Sequence, residues 1–291
     1  MNLVFHSGAH FTEEDRLMTC LLHNRQAFQA KGVSVPDPER YRKPLRQTLT
    51  AMSRGEAEEE ARGALFDTIF QADPSDRVLL SNAHLFGVPR AALRKGLLYP
   101  NAPQRMAHLV GLFPGHDLEL FMAIRNPATF LPLCFERSSR DTLSDFLDGI
   151  DSRALRWSDT LLRIREAAPE VPITVWCNED APLVWARVLR DMAGLDHRAP
   201  VEGSYDLLCD IMSEEGAARF TGYIREKPEL SENQVRRVMT AFLEKYALDE
   251  AVDEIIDVAG WGPELVFEMT EIYDEDVFTI GRIPGVRVIS P

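Results

Sequence analysis

Short apolar runs alternate with longer amphipathic segments over the first two thirds of the chain. The first apolar run covers residues 2–6 (NLVFH), and after the loop SGAH the apolar positions recur at three- and four-residue intervals from about Thr12. This spacing is typical of one buried helix face, so the chain is predicted to open as strand, loop and helix. Thr12 is a candidate N-cap, and the acidic residues Glu13, Glu14 and Asp15 would complement the helix dipole.

Three further buried strands are predicted from runs that are apolar throughout. They are residues 77–81 (RVLLS), 118–125 (LELFMAIR) and 172–176 (PITVW). Helical patterns cover residues 46–71, the segment that begins at 128, and residues 143–168 and 183–192. A polar, proline-containing stretch at residues 33–44 is predicted to be a loop. Apolar strands that alternate with helices predict an α/β fold with three layers, in which helices cover both faces of a parallel sheet.

The last third of the chain is predicted to be helical, from about residue 200 to residue 280. Ser231 and Gln234 have the spacing of a capping box at the start of one of these helices. Residues 285–289 (GVRVI) predict a final short strand. Because no repeat, low-complexity tract or linker interrupts the sequence, residues 1–291 are predicted to form a single domain.

The charge balance limits the classes of partner. The chain has 32 Lys and Arg residues against 46 Asp and Glu residues, a net charge of −14. An acidic surface argues against general nucleic-acid binding and against attachment to anionic membranes, while it leaves room for a local basic pocket. The densest basic cluster is interpreted as a solvated surface, with cover for an anionic ligand as the alternative; it contains Arg40, Arg42, Lys43 and Arg46.

The cysteines and the N-terminal sequence indicate a cytoplasmic protein. No apolar run reaches the roughly 18 residues that a membrane span needs. The start of the sequence has neither a basic n-region nor a long apolar h-region of a signal peptide. The four cysteines are far apart and form no CxxC pair, so we expect buried thiols rather than disulfides.

Ligands of parallel α/β sheets bind beyond the carboxyl ends of the strands, so the residues that follow each strand are the candidates for a site. Arg125 stands at the end of the third strand, where an arginine can fork onto a phosphate or form a structural ion pair. His10 and His84 are the candidates for a general base, although for each of them a hydrogen-bonded structural role is favoured. For Glu179 and Asp180, capping of the next helix is favoured over catalysis.

A metal site is not expected. His6 and His10 flank the first loop, and Cys20 and His23 lie three residues apart on the first predicted helix. These are metal-ligand types, but the loop pair and the helix pair need not converge. The same loop precedes a helix N-terminus, where backbone N–H groups can cradle an anion; an ordinary strand-to-helix turn is the alternative.

Five segments resemble, in the same order, the bacterial branch of the P-loop sulfotransferases. The segments are HSGAHFTEEDRLMTCLLHNRQAFQAKGVSVP, RVLLSNAHLF, FMAIRNPATFLPLCFE, ITVWCNEDAPLVWARVLRDMAG and YDEDVFTIGRIPGV. The resemblance runs through most of the chain and implies the P-loop NTPase/sulfotransferase-like fold. It also implies transfer of a sulfuryl group from 3′-phosphoadenosine 5′-phosphosulfate to a hydroxyl or amine acceptor, which would be a small molecule or glycan.

Carried over by position, the resemblance assigns donor-binding roles. Gly8 falls on the loop glycine, Thr12 on the threonine after the P-loop lysine, and Arg125 on the arginine that binds the 3′-phosphate. The general base would be His10 or His84.

The chain departs from the family pattern at the phosphate-binding loop. Phe11 stands where the family has its lysine, and Glu13, Glu14 and Asp15 replace its Gly-Thr-Thr. Sulfuryl transfer needs cationic groups and N–H donors on the leaving phosphate. Two hypotheses follow: a divergent sulfotransferase whose missing cation comes from elsewhere in the chain, and a non-catalytic relative that keeps the fold to bind a small molecule or a protein partner. An NTP-dependent kinase or ATPase fits less well, because it needs the same lysine.

Overall fold

The computed structural model describes residues 1–12, 14–56, 59–70, 75–252, 256, 258 and 260–291. Its strands are β1 (Asn2–His6), β2 (Val33–Ser34), β3 (Arg77–Ser81), β4 (Leu93–Arg94), β5 (Leu97–Leu98), β6 (Asp117–Ile124), β7 (Ile173–Cys177) and β8 (Val286–Ile289). The helices up to β7 are α1 (Glu14–His23), α2 (Arg25–Gln29), α3 (Pro38–Arg54), α4 (Glu59–Phe70), α5 (Ala102–Leu112), α6 (Pro127–Glu136), α7 (Leu143–Leu147) and α8 (Trp157–Ala167). Those after β7 are α9 (Ala181–Ala193), α10 (Asp206–Asp210), α11 (Glu214–Glu226), α12 (Glu232–Tyr246), α13 (Asp249–Val252) and α14 (Pro263–Ile280).

Six strands form one parallel sheet in the order β2-β3-β1-β6-β7-β8, and β4 and β5 form a separate antiparallel pair. From β1 the chain passes through β2 to β3, which lies on one side of β1, and then crosses to β6 on the other side. Leu3 of β1 is therefore paired with both Val78 and Leu118. Since the strand order reverses at β1, the carboxyl ends of β1, β3 and β6 flank the place where a parallel sheet has room for a ligand.

Helices cover both faces of the sheet, as predicted. Alternate residues of β1 belong to opposite cores: Val4 to the core that contains residues of α1, α2 and α9, and Phe5 to the core that contains residues of α3, α4, α5, α8 and α14. A third, smaller core joins α10, α11 and α12 around Leu208, Phe220 and Met239. The predicted helical last third is confirmed for the described residues, while residues 253–255, 257 and 259 lie outside them. The predicted strand near residues 285–289 and the capping box of Ser231 and Gln234 are also confirmed.

The predicted loop at residues 33–44 is wrong at both of its ends. Its first two residues form β2, which pairs with β3, and α3 already begins at Pro38. Proline at the first helical position is favourable because its missing N–H would have no helical partner, and the Asp37 side chain accepts from the Glu39 N–H at 3.0 Å. Pro44 lies inside the helix that follows.

Two predicted helices are each divided by residues with positive φ. The helix predicted at residues 46–71, whose last residue lies outside the described part, is split after Gly55 (φ 72°) into α3 and α4. The helix predicted at residues 143–168 stops where Asp148 (φ 54°) and Gly149 (φ 73°) take the left-handed conformation, and α8 starts later. Helix α5 and the β4–β5 pair were not predicted at all.

The start of α8 is capped from a distant part of the chain. Its own N-cap residue, Arg156, makes no side-chain cap. Asp276 of α14 instead accepts hydrogen bonds from the Trp157 N–H (2.6 Å), the Ser158 N–H (3.1 Å) and the Ser158 hydroxyl. All four cysteines are free thiols; Cys20, Cys134 and Cys177 are buried, as predicted, whereas Cys209 is half-buried. Within the described ranges, no helix is both long enough and apolar enough to cross a membrane.

Candidate functional site

A cleft of about 480 Å³ opens at the carboxyl ends of β1 and β3. Five of the residues singled out in the sequence line it together: His10, Phe11, Thr12, Asp15 and His84. The remaining lining residues are Arg16, Pro89 and Arg137. The structure therefore gathers both predicted general bases and one predicted donor-binding residue around one cavity.

A row of hydrogen-bonded side chains leads from the core into this cleft. The Tyr99 hydroxyl lies 2.5 Å from Nδ1 of His10 and accepts from the His10 backbone N–H at 2.8 Å. On the other side of the ring, Nε2 of His10 lies 3.1 Å from Nδ1 of His84. Tyr99 and His10 are buried, whereas His84 is exposed. The row Tyr99–His10–His84 thus ends in the imidazole that a bound molecule can reach.

Electrostatics separate the two histidines. Burial, and then the charge of the neighbouring His84, lower the pKa of His10 to about 4, although a hydrogen bond with the Gly87 backbone acts in the opposite direction. His10 is therefore neutral at neutral pH and shares one proton with His84 across their contact. When Nδ1 of His84 holds that proton, Nε2 of His84 keeps the lone pair that a general base needs.

The loop after β1 does not offer its N–H groups as a phosphate cradle would. The Ser7 N–H donates to Phe121 O at 3.0 Å, and the Ala9 N–H donates to Ala123 O at 2.7 Å, so strand pairing with β6 continues past the end of β1. The His10 N–H is taken by Tyr99. Three N–H groups of the loop, those of Ser7, Ala9 and His10, therefore already donate to protein acceptors.

Gly8 and Thr12 fit each other tightly within this loop. The Thr12 hydroxyl donates to the Ala9 carbonyl at 2.7 Å. A Cβ atom at position 8 would stand 2.4 Å from that same hydroxyl oxygen. The close approach of the Thr12 side chain is sufficient reason for a glycine here, and Gly8 itself does not line the cleft. Glu13 lies outside the described residues.

Arg125 stabilises the loop after β1 by a hydrogen bond from its buried side chain. This buried arginine donates from Nη1 to the carbonyl of Phe11 and from Nε to the Thr129 hydroxyl at 2.9 Å. Phe11 has φ 62°, a left-handed conformation that is uncommon for a residue with a bulky side chain. Gly8 and Arg125 thus lie at the same edge of the sheet, as the resemblance requires, but Arg125 does not line the cleft.

A second polar cluster lies beneath the loop and was missed in the sequence. Nδ1 of His6 lies 3.0 Å from the Ser81 hydroxyl, and the ring stacks on Trp176 at 5.7 Å between centroids. Burial, and then the charge of Arg42, lower the pKa of His6 to about 3. Arg42 donates from Nε to Ser81 O at 2.8 Å, so the interpretation of its basic cluster as wholly solvated is wrong for this residue.

The prediction that Glu179 and Asp180 cap α9 is also wrong. Asp180 is at the N-cap position but makes no side-chain cap. Glu179 accepts instead from the Asn126 N–H at 2.7 Å and from the Tyr273 hydroxyl at 3.1 Å, which ties β6, β7 and α14 together. Although Glu179 as a residue reaches the surface, the burial of its carboxyl group raises its pKa.

Within the part of the chain that the structure describes, no group of three or more His, Cys, Asp or Glu residues is arranged to hold a metal ion. No family model matches the chain, and no curated protein matches it. The resemblance to the P-loop sulfotransferases therefore stays a hypothesis that rests on the ordered motifs.

Proposed function

We propose that this chain is a divergent sulfotransferase in which His84 is the general base that activates a hydroxyl or amine acceptor. The observation that carries the proposal is the row Tyr99–His10–His84, which ends in a 480 Å³ cleft at the carboxyl edge of the sheet. A base that is oriented by a buried partner and reaches a cleft has the arrangement of an acid–base centre.

The histidine row gives each member a separate task. In the proposed state Nδ1–H of His84 donates to Nε2 of the neutral His10 ring, and the proton of His10 lies on Nδ1 against the Tyr99 hydroxyl. This arrangement fixes the orientation of His84 and leaves its Nε2 to take the acceptor proton. Tyr99 holds His10 in place through both its backbone N–H and its ring. His84 is therefore the catalytic residue of the proposal, and His10 and Tyr99 are positioning residues.

The donor, 3′-phosphoadenosine 5′-phosphosulfate, would supply the sulfuryl group. The N–H groups of Ser7, Ala9 and His10 already donate to protein acceptors, which does not fit the way in which a P-loop holds phosphate. The cleft has two cations of its own: Arg16, which is paired with Asp210, and Arg137, for which the described residues provide no ion pair. Arg137 is thus the residue that would hold the donor phosphates in place of the lysine that Phe11 replaces.

Calorimetric titration with 3′-phosphoadenosine 5′-phosphate, the desulfated donor, tests this proposal. We expect the native chain to bind, and Arg137→Gln to weaken binding about tenfold, since a hydrogen bond to a charged group contributes about 1.5 kcal/mol or more. The matched control is Arg94→Gln, an exposed arginine of β4 outside the cleft, which should bind like the native chain. Equal affinity of the two variants would refute the role of Arg137.

The base is tested separately with the phosphosulfate donor and a panel of hydroxyl and amine acceptors. His84→Gln is expected to lower turnover about 100-fold or more without changing the affinity for the desulfated nucleotide, because a general base acts in the transition state. Turnover of this variant at the native rate would contradict the assignment of His84.

One observation favours a second function, that of a non-catalytic binding protein with the same fold. The N–H groups of Ser7, Ala9 and His10 all donate to protein acceptors, so these three groups are not available to a bound anion. Under this alternative the native chain shows no heat of binding with millimolar desulfated nucleotide. That outcome would shift the search for ligands to acceptor-like small molecules and protein partners.

A further inference from the structure

A second cavity of about 420 Å³ lies between α9 and the helices α10, α11 and α12. Its volume falls in the range of small-molecule sites. Apolar side chains from three of these helices and from the segments before α10 and before α12 form much of its wall; they are Val184, Val201, Ile224, Leu230, Val235 and Met239. The cavity shares no lining residue with the cleft of the proposed acid–base centre.

The charged residues around this cavity have the opposite balance to the chain as a whole. Five cationic side chains line it, against the two acidic side chains of Asp206 and Glu232, in a chain whose net charge is −14. The cations are Arg187, Arg190, Arg198, Lys227 and Arg236. A concave surface with an excess of one charge raises the local concentration of ligands of the other charge.

Contacts with neighbouring residues hold two of these cations in place without using all of their hydrogen-bond donors. Arg190, whose side chain is 13% exposed, donates from Nε to Ala199 O at 3.0 Å, and its Nη1 lies 3.9 Å from Glu232. Arg236 donates from Nη2 to the Asn233 side chain at 2.7 Å. A guanidinium has five N–H donors, so each of these arginines can still donate to an anion.

We propose that this cavity binds a small amphipathic anion, with an apolar body against the aliphatic wall and a carboxylate or similar head group among the arginines. At about 30 Å³ per water-sized group, 420 Å³ accommodates roughly 14 non-hydrogen atoms. Saturated dodecanoate has about this size and is the probe of choice. The apolar wall supplies hydrophobic burial, and the arginines select the sign of the charge.

Titration calorimetry with monomeric dodecanoate tests the proposal on the full chain. We expect the native protein to bind dodecanoate at least about tenfold more tightly than dodecylamine, which has the same chain and the opposite charge. Arg236→Gln should weaken binding about tenfold by the loss of a charged donor. The matched control is Arg237→Gln, its exposed neighbour on α12, which lies outside the lining and should bind like the native chain.

Two further variants keep the test decisive if Arg236→Gln disturbs the helix. Lys227→Gln removes a cation from another part of the wall, and Val235→Trp fills the apolar part of the cavity. Both should weaken dodecanoate binding while the far-ultraviolet circular dichroism stays native. The proposal is overturned if dodecanoate does not bind at about millimolar concentration, if the amine binds equally well, or if the chain binds only anionic phosphatidylglycerol vesicles.

Discussion

Gly216 of α11 lies directly against Tyr246 of α12: a Cβ atom at position 216 would stand 2.4 Å from the Cβ atom of Tyr246. Both atoms are close to the backbone, so neither can swing aside. We expect Gly216→Ala to separate the two helices and to lower the free energy of unfolding by about 1–3 kcal/mol, the usual cost of an overpacked contact. Urea unfolding monitored by circular dichroism measures this change.

Gly222, on the same helix, is the matched control. A Cβ atom there has no neighbour within 4 Å, and alanine is a better helix former than glycine. Gly222→Ala should therefore raise the free energy of unfolding by about 0.5–1 kcal/mol. Two glycine-to-alanine changes six positions apart in one helix are thus expected to have opposite signs. A gain in stability from Gly216→Ala would show that the helices are not in this contact.

The pair Gly8 and Thr12 gives a second prediction of packing. Gly8→Ala should lower the free energy of unfolding by about 1–3 kcal/mol, since the new Cβ atom meets the Thr12 hydroxyl at 2.4 Å. Combined with Thr12→Ala, which removes that hydroxyl, the same change should cost less by 0.5 kcal/mol or more, an order-of-magnitude coupling for residues in contact. The four chains of this double-mutant cycle are compared by urea unfolding; strict additivity would contradict the contact.

The buried His6 predicts how stability depends on pH. Its pKa is about 3 in the folded chain and 6.5 in a free side chain, so the unfolded chain binds the proton first as the pH falls. The contribution of neutral His6 is complete above about pH 6.5 and is lost as the pH falls toward about 3. Near pH 4.5 the loss from this one group amounts to about 3 kcal/mol.

The measurement is the free energy of urea unfolding near pH 7 and near pH 4.5 for the native chain and for His6→Gln. The variant is expected to be less stable near pH 7, because it loses the contacts with Ser81 and Trp176. Its further loss on acidification should be smaller by about 3 kcal/mol. Since His10 is present in both chains, the comparison isolates His6; identical pH dependence would mean that His6 does not titrate in this way.

Substitution of Asp276 is expected to lower stability strongly, although this residue lies far from α8 in the sequence. Asp276→Ala leaves the N–H groups of Trp157 and Ser158 without their acceptor and should lower the free energy of unfolding by about 2–4 kcal/mol. Asp276→Asn keeps an acceptor oxygen and should cost less. Thermal or urea unfolding of the two variants checks the order, and equal stability of both with the native chain would contradict the cap.

The pattern of apolar residues was sufficient to predict the sheet and its helical layers, because a strand covered on both faces must be apolar throughout. The pattern failed where one or two residues determine the backbone conformation. Pro44 indicates a loop by its local preference, yet it lies inside α3, where Tyr41 and Leu45 are buried in the core. Asp148 and Gly149 end a helix whose apolar pattern continues on both sides of them.

The candidate site could be predicted only as far as the order of the strands in the sheet allows. His10 and His84 follow two strands that are neighbours in the sheet, so their meeting could be expected from the topology. Tyr99 follows the short β4–β5 pair, for which no periodic pattern exists, and Tyr273 lies on a helix about 94 residues after its partner Glu179. Such partners are fixed by tertiary packing, which a single sequence does not display.

The contacts of α14 have a consequence for the order of events during synthesis. Glu179, Asn126 and the first turn of α8 reach their partners only when Tyr273, Thr270 and Asp276 have left the ribosome. Pairings across such long stretches of chain close late, because the loop entropy must be overcome first. We therefore expect the α14 side of this sheet edge to complete its contacts late in folding, after residues 263–280 have left the ribosome.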